Sequence, residues 1–178
     1  MTTSNTNFQT ENINIWISQI HNEYKLAMSV DCVIFGYTDA DLYVALRECN
    51  MPPYEGEFSL VGDLLKNDED LDSAAYRIVS ERTNLENIYL EQVQCFSNLK
   101  RHPLGRVITV AYYSLLKIDD YHALEEKDHS LIWTNVNEVD KLAFDHKEIF
   151  NTCLTKLRKQ IKEHPIGFNL LPKKFTIN

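Results

Sequence analysis

Apolar positions recur with two different periods along this chain, and the switches between them mark the elements. Near the N-terminus Ile13, Trp16, Ile17, Ile20 and Tyr24 fall at i, i+3, i+4, i+7 and i+11, which predicts an amphipathic helix. Next come SVDCVIFG (Ser29 to Gly36) and LYVALRE (Leu42 to Glu48), rich in β-branched and aromatic residues. The turn-like YTDAD between them predicts a hairpin or two adjacent strands. Helical spacing returns at Leu71, Ala74, Ala75, Ile78, Val79 and Leu85, behind an acidic run from Asn67 to Asp72 that suits a helix N-terminus. Two further strand-like stretches follow, Glu86 to Asn98 and Gly105 to Ile118, then a short one from Ser130 to Thr134. A last helix is expected from Lys147 to Glu163. Asp145 and Glu148 read as its D-x-x-E capping box, and Pro165 is placed to stop it.

Helices alternating with strands predict an α/β domain. The chain has 178 residues, 44% of them apolar, enough to bury one core. No run of about 18 apolar residues suggests a membrane span, and the polar start MTTSNTNFQTEN lacks the pattern of a signal peptide. Cys32, Cys49, Cys95 and Cys153 are widely spaced, without CxxC pairs or clustered histidines. Cys32 and Cys95 lie in apolar runs and are expected to be buried thiols, so a reducing cytoplasm is the expected compartment.

The net charge of −8 opposes nucleic-acid binding by this chain alone, because phosphate contacts supply most of that affinity. Lys147, Lys156, Arg158, Lys159 and Lys162 are expected to form a solvated helix face. The N-terminal helix, with Trp16, is expected to pack on the core, a second subunit being the other reading.

The segment GDLLKNDEDLDSAAYRIVSERTNL (Gly62 to Leu85) carries the chemistry. It resembles the Nudix box, the loop and helix signature of enzymes that cleave nucleoside diphosphates linked to other groups. Asp63 stands at its first Gly, Glu69 at its first Glu and Arg77 at its Arg. Ile78, Glu81 and Arg82 stand where three metal-binding Glu residues belong, and Asn84 replaces the last Gly. Spaced i, i+3 and i+4, these three positions are expected to share one helix face. Ile78 offers no oxygen, and Arg82 carries a cation that is never deprotonated, so the set is a poor Mg²⁺ site. Upstream, PPYEGEFSLVGD (Pro52 to Asp63) is similar to the stretch that precedes a Nudix box, with Phe58 for its Trp, Val61 for its Pro and Gly62-Asp63 for its Gly-Gly.

Downstream, LAFDH (Leu142 to His146) and GFNLLPKKFT (Gly167 to Thr176) resemble the segment that joins the Nudix domain to a winged helix in Nudix-related transcriptional regulators. The resemblance implies a Nudix α/β/α sandwich with a mixed sheet, to which the chain adds an N-terminal helix and a C-terminal linker helix. Residues 1–28 are the expected tail and first helix, 29–145 the Nudix domain, and 146–178 the helix and linker. It implies a ligand sensor without hydrolytic activity or cofactor, and a homodimer. The effector would be a sugar or an ADP-ribose-like metabolite. DNA would be contacted only through a winged helix, which in such regulators follows the point where this sequence ends.

Candidate ligand contacts are Arg47, Glu57, Asp63, Arg77, Glu81, Arg82, Tyr112 and Trp133. The favoured expectation for Arg77 is a structural ion pair with Glu69 or Glu81, and for Glu81 a pair with Arg77 or Arg82. Strand alternation is expected to place only one of Tyr112 and Tyr113 inside. Arg101, His102 and Arg106 form a small basic group, expected to be a solvated surface loop. Two other functions compete. One is a hydrolase of ADP-ribose-like diphosphates that holds Mg²⁺ on Glu69, Glu81 and unidentified acids elsewhere in the chain, with Arg77 in the same site. The other is a dimerisation or interaction module.

Overall fold

The computed structural model describes residues 26–103, 105–118 and 131–163. The expected N-terminal helix, the GFNLLPKKFT segment and Pro165 lie outside the described residues. In chain order the elements are β1 (Ala27–Tyr37), β2 (Leu42–Glu48), β3 (Phe58–Ser59), β4 (Val61–Leu64) and α1 (Leu71–Thr83). Then come β5 (Glu91–Phe96), β6 (Val107–Lys117), β7 (Ile132–Asn135) and α2 (His146–Glu163).

The sheet is mixed, in the order β3-β2-β1-β6-β5, with β4 added to β1 and β7 to β2. Its spine is β1, which pairs in parallel with β6 along its whole length, from Ala27↔Val107 to Tyr37↔Lys117. The other edge of β1 is shared. Phe35 to Tyr37 pair with β2, forming the expected hairpin, and Ser29 to Cys32 pair with β4. Because β2 and β4 pair with different stretches of that edge, a cleft opens between them.

Residues Ser29 to Gly36 of β1 are all buried. An unbroken buried run marks a strand covered on both faces. Val33 and Phe35 face α2, packing with Ile149, Phe150, Cys153 and Leu157. Val30, Cys32 and Ile34 face α1, packing with Ala74, Ala75, Ile78 and Val79. Helices on both faces make the α/β/α sandwich that the sequence implied.

This layering corrects two expectations. Tyr112 and Tyr113 point to opposite faces, yet both are buried, because each face has its own helix. Tyr112 donates to Asp72 (2.6 Å) on α1, and Tyr113 donates to Gln160 on α2. Cys95, by contrast, is exposed, since β5 is an edge strand and part of it looks outward; Cys32, Cys49 and Cys153 are buried.

Helix α1 begins with Asp70 accepting from the Ser73 N–H (2.8 Å), one of the unpaired donors of a first turn. It ends at Asn84, whose φ of 54° is left-handed and whose N–H reaches the Ser80 carbonyl (3.0 Å). Asn tolerates this conformation better than most residues, so it closes the helix where the box has Gly. Asn87 is left-handed as well, and the strand expected from Glu86 begins only at Glu91. Among the described residues, no helix is long and apolar enough to cross a membrane.

Candidate functional site

A cleft of about 220 Å³ opens beside the shared edge of β1. Ser29 and Asp31 form its floor, with Ser59 to Leu60 and Gly62 to Leu64 on one side. Arg47 to Met51, from the end of β2 and the following loop, form another side. Arg82 reaches in from the last turn of α1, Arg101 and His102 from the β5–β6 loop, and Phe144 and His146 from the start of α2.

The box helix presents two ion-pair systems. Arg77 grips Glu69 through Nε (2.7 Å) and Nη2 (2.6 Å), donates to Glu81 (3.0 Å) and reaches the Leu64 carbonyl (3.1 Å). Paired donors on one carboxylate make this a strong, directional contact. Those hydrogen bonds hold the Glu69 carboxyl down at about 2. The second system is Arg82 on Asp63. Partial burial alone would raise the Asp63 carboxyl, but Arg82 and the Leu64 N–H outweigh it and hold the group below its ordinary value.

This donor set does not fit a divalent ion. The three positions share one face of α1 but meet different surroundings, and Ile78 is fully buried against the sheet. Ile78 belongs to the core, Glu81 is half-exposed with Arg77 and Lys66, and only Arg82 reaches the cleft. Among the described residues, no three His, Cys, Asp or Glu side chains gather to hold a metal.

Behind the floor lies a buried polar cluster. Arg101 grips Asp145 through Nε and Nη2 (both 2.8 Å) and approaches Asp31 at 3.5 Å. His146 Nε2 lies 3.5 Å from the other Asp31 oxygen. The Leu60 N–H donates to His146 Nδ1 (3.1 Å), so that nitrogen carries no proton. Burial pushes His146 below the usual imidazole value, against the pull of Asp31 and Asp145. Around it, the Phe144 ring stacks on His102 (5.1 Å, 9°) and touches Tyr54 (4.6 Å). Burial, with Arg101 adding to it, lowers His102 in the same way.

Of the residues singled out from the sequence, Arg47, Asp63 and Arg82 line the cleft. Glu57 instead pairs with Lys141 (2.7 Å). Arg77 and Glu81 are engaged in the network beside the cleft and do not line it. Tyr112 and Trp133 pack in the apolar layer under α1, because even-numbered β6 positions and the β7 ring face that helix. Arg101 is no solvated loop residue, its side chain being 3% exposed. Asp145 does not cap α2 with its carboxylate, which is committed to Arg101. Sequence reasoning missed Asp31, Phe144 and His146. The available signal was a lone carboxylate, Asp31, inside an otherwise apolar strand.

No family model matches the chain. It is 30% identical over 155 residues to the ADPR responsive transcriptional repressor NtrR of Acinetobacter baylyi; the alignment covers 84% of this chain and 62% of that protein. The chain thus spans less than two thirds of that relative's length. It is 24% identical to the ADP-ribose pyrophosphatase of Methanocaldococcus jannaschii, over 71% of this chain and 75% of that protein. The structure is similar to the Nudix domain of Shewanella oneidensis NrtR complexed with ADP ribose, with a TM-score of 0.65 and 26% identity over 79% of this chain and 97% of that one. The chain belongs to the Nudix superfamily, and it is similar to the Nudix domains of transcriptional regulators in it.

Proposed function

We propose that this chain is the ligand-sensing domain of a transcriptional regulator, and that it binds its effector without hydrolysing it. The observation that carries this reading is the Arg82–Asp63 ion pair, set at the cleft where the box helix would otherwise present carboxylates to a metal. A guanidinium there repels a divalent cation, and Ile78 is buried in the core and offers no oxygen. The names of the Acinetobacter and Shewanella relatives favour an ADP-ribose-like effector over a free sugar. The cleft offers chemistry for both parts of such a molecule. Arg47 and Arg82 suit phosphate oxygens, and the Phe144–His102 pair suits a ring. DNA contact, and a role in a particular metabolism, belong to the whole regulator, which we propose to act as a homodimer.

The test is a thermal-shift screen of ADP-ribose, nucleotide sugars, pentoses and hexoses, each in EDTA and in Mg²⁺. A ligand that binds only the folded state stabilises with the logarithm of its excess over Kd. ADP-ribose is expected to raise Tm equally with and without metal, and no AMP should be released. Hydrolysis is the second reading, favoured by the retained Glu69, Arg77 and Glu81 and by the Methanocaldococcus relative. Metal-dependent turnover of ADP-ribose would establish it in place of the sensor.

A further inference from the structure

Three consecutive residues at the start of α2 each hold a different wall of the cleft. The Phe144 ring lies between Tyr54, from the β2–β3 loop, and His102, from the β5–β6 loop. Asp145 takes both oxygens to Arg101. His146 accepts from the Leu60 N–H, between β3 and β4, and faces Asp31 on β1. Phe144 does this with a φ of 56°, the left-handed region that bulky residues avoid. Such a conformation persists only where its surroundings hold it. Beyond that turn α2 packs on the sheet through apolar Ile149, Phe150, Cys153, Leu154 and Leu157, and near its far end Lys156 and Gln160 bond to Glu91 and Tyr113, away from the cleft. At the N-terminal end of α2 the first turn supplies the directional bonds that set where the helix begins, and those bonds run through cleft-lining groups.

We infer that Asp145 is a positioning residue: it holds Arg101 in the cleft wall and so links occupancy of the cleft to the docking of α2. A ligand that moves Arg101, His102 or Leu60 must act on the same turn that seats the helix. By thermodynamic reciprocity, whatever loosens the turn must change ligand affinity by the same factor. This rests on the sensor reading for its ligand, but the turn itself can be probed without one.

Asp145→Asn removes one carboxylate and leaves Asp31 as the charged partner of Arg101, so the buried guanidinium stays compensated. Asp145→Glu keeps the carboxylate. Two measurements decide the matter. Without ligand, hydrogen exchange of the Leu60 amide reports directly on its bond to His146. It should speed up by about ten-fold in Asp145→Asn and stay near wild type in Asp145→Glu. With ADP-ribose, exchange across residues 146–157 should change in the wild type. Asp145→Asn should lose that change and bind about ten-fold more weakly, and Asp145→Glu should recover most of both. Unchanged Leu60 exchange in Asp145→Asn overturns the inference, as does ligand binding that leaves α2 exchange untouched. If ADP-ribose fails to bind the wild type while Leu60 responds as expected, the effector assignment falls and the linkage through the turn stands.

Discussion

Gly62 sits opposite Asp31 in the β1–β4 ladder, and its missing side chain is what lets that carboxylate occupy the cleft floor. A Cβ on Gly62 would stand 2.1 Å from Asp31 Oδ1 and 3.1 Å from the Val30 carbonyl. The Asp31 side chain is 6% exposed and lies between Arg101 and His146, so it has little room to retreat. Gly62→Ala should therefore destabilise the fold by about 1–3 kcal/mol, the usual range for overpacking. Urea unfolding measures it, and a loss too small to detect would mean that the floor is more yielding than its contacts indicate.

Ile78 decides whether the box can be repaired. Replacing Ile78 and Arg82 by Glu would restore the family pattern in sequence. In the structure, Ile78 is fully buried among Ala74, Ala75 and strand residues. Ile78→Glu would then bury a carboxylate without a partner, at a cost on the order of 3–5 kcal/mol. The variant should unfold readily and gain no Mg²⁺ affinity. A well-folded Ile78→Glu protein that binds Mg²⁺ by calorimetry would show that this position can turn to the cleft.

The Glu69–Arg77 grip makes a pH prediction. Glu69 ionises at about 2 in the folded chain against an ordinary 4.5. A depressed carboxyl stabilises the fold above its unfolded value and loses that contribution as pH falls through the folded one. The stability difference between wild type and Glu69→Gln should thus be full above about 4.5 and vanish by about 2. A difference that stays constant over this window would contradict the pairing.

His146 works in the same pH direction for a different reason. Its folded value is lowered by burial, so below the ordinary 6.5 the unfolded chain takes up a proton that the folded chain does not. Wild type should lose stability faster than His146→Asn as pH falls below 6.5, and an NMR titration of the imidazole should show it neutral there. Protonation of the folded histidine at or above 6.5 would remove the basis for the Leu60 bond.

Phe144 allows a reversal of the usual order of substitutions. Alanine normally outranks glycine, but at a φ of 56° alanine keeps the left-handed cost of roughly 1 kcal/mol and glycine does not. Phe144→Ala should therefore be less stable than Phe144→Gly, although both lose the stacked ring. Equal or opposite melting temperatures would show that the turn relaxes once the ring is gone.

The hairpin, the box helix and its departures from the family pattern were legible in the sequence, because periodicity and motif spacing are local properties; the layer order came only through the family resemblance. Helical spacing of Ala74, Ala75, Ile78 and Val79 announces a buried face. Even so, it cannot say whether position 78 faces the sheet or the cleft, since both lie on the same side of a 3.6-residue helix. Alternation along β6 implied one buried tyrosine, and only helices packed on both faces buried Tyr112 and Tyr113 together. The polar heart of the site joins Asp31, Arg101 and Asp145, residues separated by 70 and 44 positions. No local pattern encodes such a meeting. Asp145 read as a helix cap because its neighbours in sequence fit one. It became a partner of Arg101 because folding brings the β5–β6 loop beside the start of α2, where a buried guanidinium requires a carboxylate more urgently than a helix end requires a cap.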